Sequence, residues 1–241
     1  MCEYHFMSDW HVLTMLGLGF LLGLRHALDA DHVAAVSTVV ARSSSIWRSG
    51  AVGAWWGLGH TLMLMVAGVV VVGFKVVIPE ELAQWFEFVV GIMLVLLGVS
   101  LARAVLREDW HWHVHEHDGS HHRHLHHHRS TPDHVHPHWL DGTFQPFVVG
   151  MVHGLAGSAA LLLLVVAAVE TMTEALTYIA VFGVGSILGM MAVGALISLP
   201  LVYAEKWGPL ARLSMRGVLS FGSVVVGVWT MISTGLLRGL F

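Results

Sequence analysis

The stretch Gly23-Leu-Arg-His-Ala-Leu-Asp-Ala-Asp-His-Val-Ala sets Arg25, His26, Asp29, Asp31 and His32 inside a run that is otherwise apolar. Imidazole and carboxylate donors gathered in this way are metal-ligand chemistry. Imidazole suits nickel, cobalt, zinc and copper, and carboxylate favours harder ions. An ionised side chain at the centre of a bilayer costs about 3 kcal/mol or more, so such groups face a cavity, an ion or a counter-charge. At about 100° per residue His26 and Asp29 share a helix face, while Asp31 points about 140° away from His26. One straight helix cannot converge all five groups; a local break, or a set of metal ligands with supporting groups on another side, would reconcile them.

Two further histidines interrupt apolar runs: His60 in Gly57-Leu-Gly-His-Thr, and His153 in His153-Gly-Leu-Ala-Gly-Ser158. A single buried histidine is more often a hydrogen-bonded core residue than a ligand. Four histidines and two aspartates in three apolar segments read differently, as one metal site. His26, Asp29, Asp31, His32, His60 and His153 are its candidate donors, as ligands or as the groups around them. Asp29 and Arg25 are expected to orient or balance them, and His153 to join from the second half of the chain. Cys2 is the only cysteine, which excludes a thiolate cluster or an intrachain disulfide and argues against Cu(I) as cargo. The twelve methionines lie mostly in apolar runs, with Gly189-Met-Met191 the one pair that could be ligating. Nickel or cobalt fits this donor set; zinc is compatible but ranks behind them.

The elements that must hold these residues are membrane spans. Of the 241 residues 56% are hydrophobic and only 12% charged, against about 25% charged in a soluble domain. A net charge of −4 with twelve basic residues leaves no nucleic-acid footprint. The N-terminus Met1-Cys2-Glu3-Tyr4-His5 is not a basic signal region, so the first apolar segment is expected to stay in the mature protein. Segments near 12–41, 50–74, 81–105, 146–169, 173–203 and 214–237 are long enough to cross a bilayer. That predicts six spans, or eight if the long first and fifth segments split. Trp47, Trp55, Trp56, Trp85, Trp207 and Trp229 fall near span ends, where interface anchors sit. With six spans, Arg42, Arg48, Arg103, Arg107, Arg123, Arg129, Lys206, Arg212 and Arg216 share one side, against Lys75 and Arg238 on the other. The excess of basic residues makes that side cytoplasmic and puts both termini outside.

The halves echo each other. Gly23-Leu-Arg-His matches Gly150-Met-Val-His at an offset of 127, aligning His26 with His153. Ala54-Trp-Trp-Gly-Leu-Gly-His matches Ala180-Val-Phe-Gly-Val-Gly-Ser at an offset of 126, aligning His60 with Ser186. A duplicated unit of three spans must be inverted in the membrane, and transporters built in this way bind cargo at the repeat interface on broken helices. The expected fold is therefore all-α and polytopic, with two inverted three-helix repeats over 1–105 and 143–241. Between them, 106–142 holds thirteen of the nineteen histidines. It reads as a mobile, metal-attracting cytoplasmic loop.

The motif Arg25-His26-Ala27-Leu28-Asp29-Ala30-Asp31-His32 resembles the signature of the nickel/cobalt transporter family: histidine, four intervening residues, then aspartate-histidine. Leu58-Gly59-His60-Thr61 resembles the glycine-histidine motif of the family's second span. His153-Gly154-Leu155-Ala156-Gly157-Ser158-Ala159 and Phe182-Gly183-Val184-Gly185-Ser186 are similar to motifs of its shorter, urease-accessory-type branch. The aspartate-threonine motif of the longer, eight-span permeases is absent. The resemblance covers most of the chain apart from the histidine loop. It implies a polytopic permease of a bacterial inner membrane that moves Ni2+ or Co2+, with His26, Asp31, His32 and His60 as transport residues. It also implies a link to urease or other metalloenzyme maturation proteins.

The expected activity is thus secondary transport of nickel or cobalt, not an enzymatic reaction. A histidine loop facing the cytoplasm serves import or expulsion equally; the core motifs are closer to the uptake branches, so uptake is expected and efflux is the alternative. No Gly-rich phosphate loop supports an ATP-driven pump. A non-transporting metal sensor or chaperone for metalloenzyme maturation would bind metal at the loop without needing the intramembrane histidines. A membrane hydrolase, with a metal-activated water, lacks a separate acid–base pair.

Overall fold

The computed structural model describes residues 2–43, 45–76, 78–107, 110–117, 120–127, 144–168 and 171–237. Seven α-helices appear among them: α1 (Cys2–His26), α2 (Ala30–Val40), α3 (Ile46–Phe74), α4 (Glu80–Leu106), α5 (Phe144–Ala168), α6 (Met172–Trp207) and α7 (Pro209–Ile232). Their boundaries follow local chemistry. Thr171 caps α6, accepting the Glu174 N–H at 3.2 Å, a threonine and an acid at the spacing of a capping box. Gly208, at φ +105°, separates α6 from α7 in a backbone region that only glycine occupies readily, and Pro209 opens the next helix.

Four helices among the described residues are long and apolar enough to cross a membrane: Ile46–Phe74, Glu80–Leu106, Met172–Ala204 and Pro209–Gly235. The expected six are therefore not all recovered as single long helices. The first expected span is broken into α1 and α2 at the acidic motif, and α2 at 11 residues is about 16 Å long, too short to cross alone. The fourth corresponds to α5. The fifth does not split: α6 runs through Pro200 as one 36-residue helix.

The body is inside-out by the standards of a soluble protein. Leu21, Leu96, Leu196, Val218 and Phe221 are exposed, while Ser49, Ser186, Ser198 and Ser223 are buried. Small and hydroxylated residues between helices with apolar flanks are what packing in lipid favours. A central apolar cluster of Val36, Trp56, Val90, Leu94 and Met190 joins the helices, and a smaller one gathers Leu64, Ile179 and Phe182.

The close approaches come in reciprocal pairs. A Cβ at Gly59 would collide with the carbonyl oxygen of Phe147, and one at Gly185 with that of Phe20; Gly59 and Gly185 are 185 − 59 = 126 positions apart, Phe20 and Phe147 are 147 − 20 = 127 apart. Gly150 abuts Trp56 in the same way that Gly23 abuts Phe182. These contacts set α1 parallel to α6 and α3 parallel to α5. α3 and α6 run antiparallel, with Gly57 against Ile187 and Gly183 against Thr61. α4 and α7 also run antiparallel, tied by Ser220 Oγ donating to Gly98 O at 2.8 Å and Ser223 Oγ to Leu94 O at 2.9 Å.

One end of the bundle collects basic residues. Arg42 Nη2 donates to Ser100 Oγ at 2.7 Å, and Arg216 Nε donates to Ala41 O at 3.0 Å. The end of α2, the last part of α4 and the start of α7 are thereby neighbours.

The histidine-rich stretch departs from the expected irregular loop. β1 (Trp110–His117) and β2 (Ser120–His127) pair antiparallel, with His111, His113 and His115 opposite His126, His124 and His122. In β1 histidine alternates with Trp, Val and Glu at the period of a strand. The remainder, including His128, His134, His136 and His138, lies outside the described residues, as does Arg238.

Candidate metal centre

The break between α1 and α2 does what one straight helix cannot. α1 ends at His26, and Ala27–Asp29 turn the chain before α2 begins at Ala30. Asp29 occupies the N-cap position of α2 but caps nothing with its side chain; its Oδ2 lies 2.8 Å from His26 Nδ1 instead. Asp31, in the first turn of α2, accepts the His32 N–H on Oδ1 at 2.9 Å and faces His32 Nδ1 with the same oxygen at 3.1 Å. Its other oxygen, Oδ2, lies 2.9 Å from His153 Nε2 on α5. The carboxylate sits where a helix N-terminus stabilises negative charge, and His26 where a helix C-terminus favours a cation.

The four intramembrane histidines meet around His32. Its ring centroid is 4.4 Å from that of His26, 4.0 Å from His153 and 5.3 Å from His60. His26 Nε2 and His60 Nε2 are 3.3 Å apart, about the separation of two ligands at 2.0–2.1 Å in tetrahedral geometry. His32, His60 and His153 are completely or almost completely buried, and the His26 side chain is 11% exposed. Two groups of donors could each hold a metal ion: His26, His32 and His60; and Asp31, His32 and His153, with the atoms of each group within 4.8 Å of one another.

Three imidazole nitrogens in this cluster are buried without a hydrogen-bond partner: His32 Nε2, His60 Nδ1 and His153 Nδ1. The same is true of Trp56 Nε1 and Ser186 Oγ. A buried polar atom left unpaired costs about 1–3 kcal/mol, so a cluster of them is retained for a ligand or for function.

Each expected residue can now be placed. His26, Asp31, His32, His60 and His153 come together. Asp29 touches the cluster only through His26 and is itself half exposed, at 52%. Arg25 is exposed, and the ion-pair partners of both aspartates are histidines, so it does not balance the two carboxylates as expected. Trp56 is a second correction. It is no interface anchor but is fully buried, its ring 5.8 Å from that of His153. Its position one helical turn before His60 on α3 was the available signal. Phe182, with its ring 5.5 Å from His26, also walls the site and was missed. Trp47, Trp207 and Trp229 are broadly exposed, as interface anchors are.

Comparison with known proteins agrees with this chemistry. The family model described as NicO, high-affinity nickel-transport protein, matches residues 12–235. The chain is 36% identical over 241 residues to the urease accessory protein UreH of Bacillus sp. (strain TB-90), covering 98% of each chain. No solved structure matches. With the family model spanning nearly the whole chain and the histidine–aspartate cluster inside its helices, the protein belongs to the NicO family of nickel transporters.

Proposed function

We propose that the chain is a secondary carrier that takes a partly dehydrated Ni2+ or Co2+ ion across the membrane through the cluster around His32. The observation that carries this reading is the set of unpartnered nitrogens on His32, His60 and His153, buried beside the Asp31 carboxylate at a helix break. Imidazole nitrogen and one carboxylate are donors that nickel and cobalt accept, and a broken helix is where transporters expose backbone and side chains to cargo. His26, Asp31, His32, His60 and His153 hold the ion. Asp29 orients the His26 ring, as carboxylates do behind metal-ligating histidines.

The reading extends to architecture. Two inverted repeats, 1–105 and 143–241, are supported by the reciprocal approaches of Gly59 to Phe147 and Gly185 to Phe20. A unit of α1–α2, α3 and α4 related to one of α5, α6 and α7 lets one half rock against the other about the site. The end carrying Arg42, Arg103 and Arg216 faces the cytoplasm of a bacterial cell by the excess of basic residues. The histidine-rich stretch 106–142 then lies inside the cell, where it buffers or hands over metal. Uptake is the direction we favour, and delivery toward urease or other metalloenzyme maturation is the link that the UreH relative suggests.

Flux of Ni2+, Co2+ and Zn2+ in proteoliposomes holding the purified chain tests this, with His26→Ala and a deletion of 111–138 in parallel. The carrier reading expects flux abolished by His26→Ala and only tuned by the deletion. Stoichiometric binding with no flux of any ion would leave a sensor or chaperone.

A further inference from the structure

Resting on the carrier reading, we infer that the intramembrane cluster is two alternative ion positions that share His32, and that cargo steps from one to the other across this ring. The donors divide into two triads. His26, His32 and His60 come from α1, α2 and α3, whereas Asp31, His32 and His153 come from α2 and α5. His32 is the common member, and its ring lies between those of His26 at 4.4 Å and His153 at 4.0 Å. The ring centroids of His60 and His153 stand 6.2 Å apart, wider than the 4.0–5.3 Å that separate His32 from its three neighbours, and each of the two belongs to one triad only. Buried nitrogens without a partner occur in both triads: on His60 in the first, on His153 in the second, and on the shared His32.

The two positions differ in chemistry. The first is all imidazole and neutral, and opens through His26 toward the exposed Asp29. The second adds the negative charge of Asp31. Two divalent ions a few ångströms apart repel about four times as strongly as two unit charges, so the positions are filled one at a time. Transfer needs no full release of the ion: His32 keeps hold while His26 and His60 are exchanged for Asp31 and His153. The second triad bridges α2 and α5, which lie in opposite halves of the chain, so a relative movement of the halves would open or close the second triad and leave the first, held within one half, intact.

The test uses the full chain in nanodiscs, with equilibrium Ni2+ and Co2+ binding and X-ray absorption at the metal edge, and flux in proteoliposomes. Binding and absorption are read with 111–138 deleted from every variant, so that metal held by that stretch does not enter, and the wild-type cluster then binds one ion per chain. His60→Ala and His153→Ala each still bind one ion, with different donors: a carboxylate oxygen remains in His60→Ala, and nitrogen dominates in His153→Ala. Both lose flux by roughly tenfold or more, and His32→Ala loses binding as well. His60→Asn and His153→Asn keep a polar atom at each buried position and give the same reading where an alanine variant does not fold. If both single variants lose binding as fully as His32→Ala, or show one and the same donor set, the two-position inference is overturned in favour of a single composite site. Wild type that binds one ion but moves none would instead refute the carrier reading, leaving the donor-set comparison to be judged by itself.

Discussion

Asp31 and His153 are 122 positions apart in the chain, yet Oδ2 of one lies 2.9 Å from Nε2 of the other. This contact ties α2 to α5 and makes the first half's acidic motif part of a site that the second half completes. Asp31 also takes the backbone N–H of His32 and faces its ring. One carboxylate thus faces two imidazoles. Asp31→Asn keeps the shape but loses the charge and one acceptor, and nickel flux in proteoliposomes is expected to fall by roughly 10- to 100-fold. Flux within about twofold of wild type would remove Asp31 from the site.

Asp29 acts through His26 alone and is half exposed. Asp29→Asn retains an oxygen that can face Nδ1, so its effect is expected to be milder than that of Asp31→Asn. We expect the apparent KM for nickel to rise with maximal flux largely kept. A variant as damaged as Asp31→Asn would make Asp29 a ligand.

The reciprocal helix approaches predict paired behaviour. Gly59→Ala and Gly185→Ala each drive a methyl into a facing carbonyl, and overpacking of this kind costs about 1–3 kcal/mol. Thermal unfolding in detergent should show both destabilised to a similar extent. Gly17, with nothing within 4 Å of an added Cβ, is the control: Gly17→Ala should be neutral or slightly stabilising through helix propensity. Loss at Gly59 alone would argue against equivalent halves.

The histidine-rich stretch has a pH signature. Imidazole binds metal only when unprotonated, and free imidazole titrates near pH 6.5. Metal held by 111–138 is therefore present above about pH 6.5 and released as pH falls below it. Ion binding by the full chain and by the deletion variant should differ most at pH 7.5 and converge near pH 5.5. A difference that persists unchanged at pH 5.5 would exclude imidazole as the donor.

Orientation can be read with one label, because Cys2 is the only cysteine. In a Cys2→Ser background, Lys75→Cys is expected to react with an impermeant maleimide from outside intact cells. Arg107→Cys should react only after permeabilisation. The opposite pattern would reverse the membrane orientation, and with it the side on which the histidine stretch lies.

Much of this was legible in residue types. Low charge and long apolar runs require a membrane body. His26, Asp31, His32, His60 and His153 interrupt apolar runs and so point to a metal, because an intramembrane ionisable group is retained only for a use. Helix geometry posed the problem, since about 100° per residue cannot bring His26 and Asp31 to one side, and left open whether a break or a division into ligands and an outer shell answers it; the break at Ala27–Asp29 is seen only in the structure. The offsets of 126 and 127 aligned Gly23 with Gly150 and Gly59 with Gly185, and the structure finds these glycines in equivalent close approaches. Tertiary structure alone decided the rest. That Trp56 is buried beside His153 and not at an interface depends on α3 lying against α5, a contact between halves that no local pattern encodes. That Arg25 leaves the site depends on where α1 meets α6. The sorting of five donors into two triads that share His32 depends on distances of a few ångströms between helices far apart in sequence. Sequence determines the chemistry each residue can offer and the local path of the chain; packing of nonlocal surfaces determines which of those offers meet.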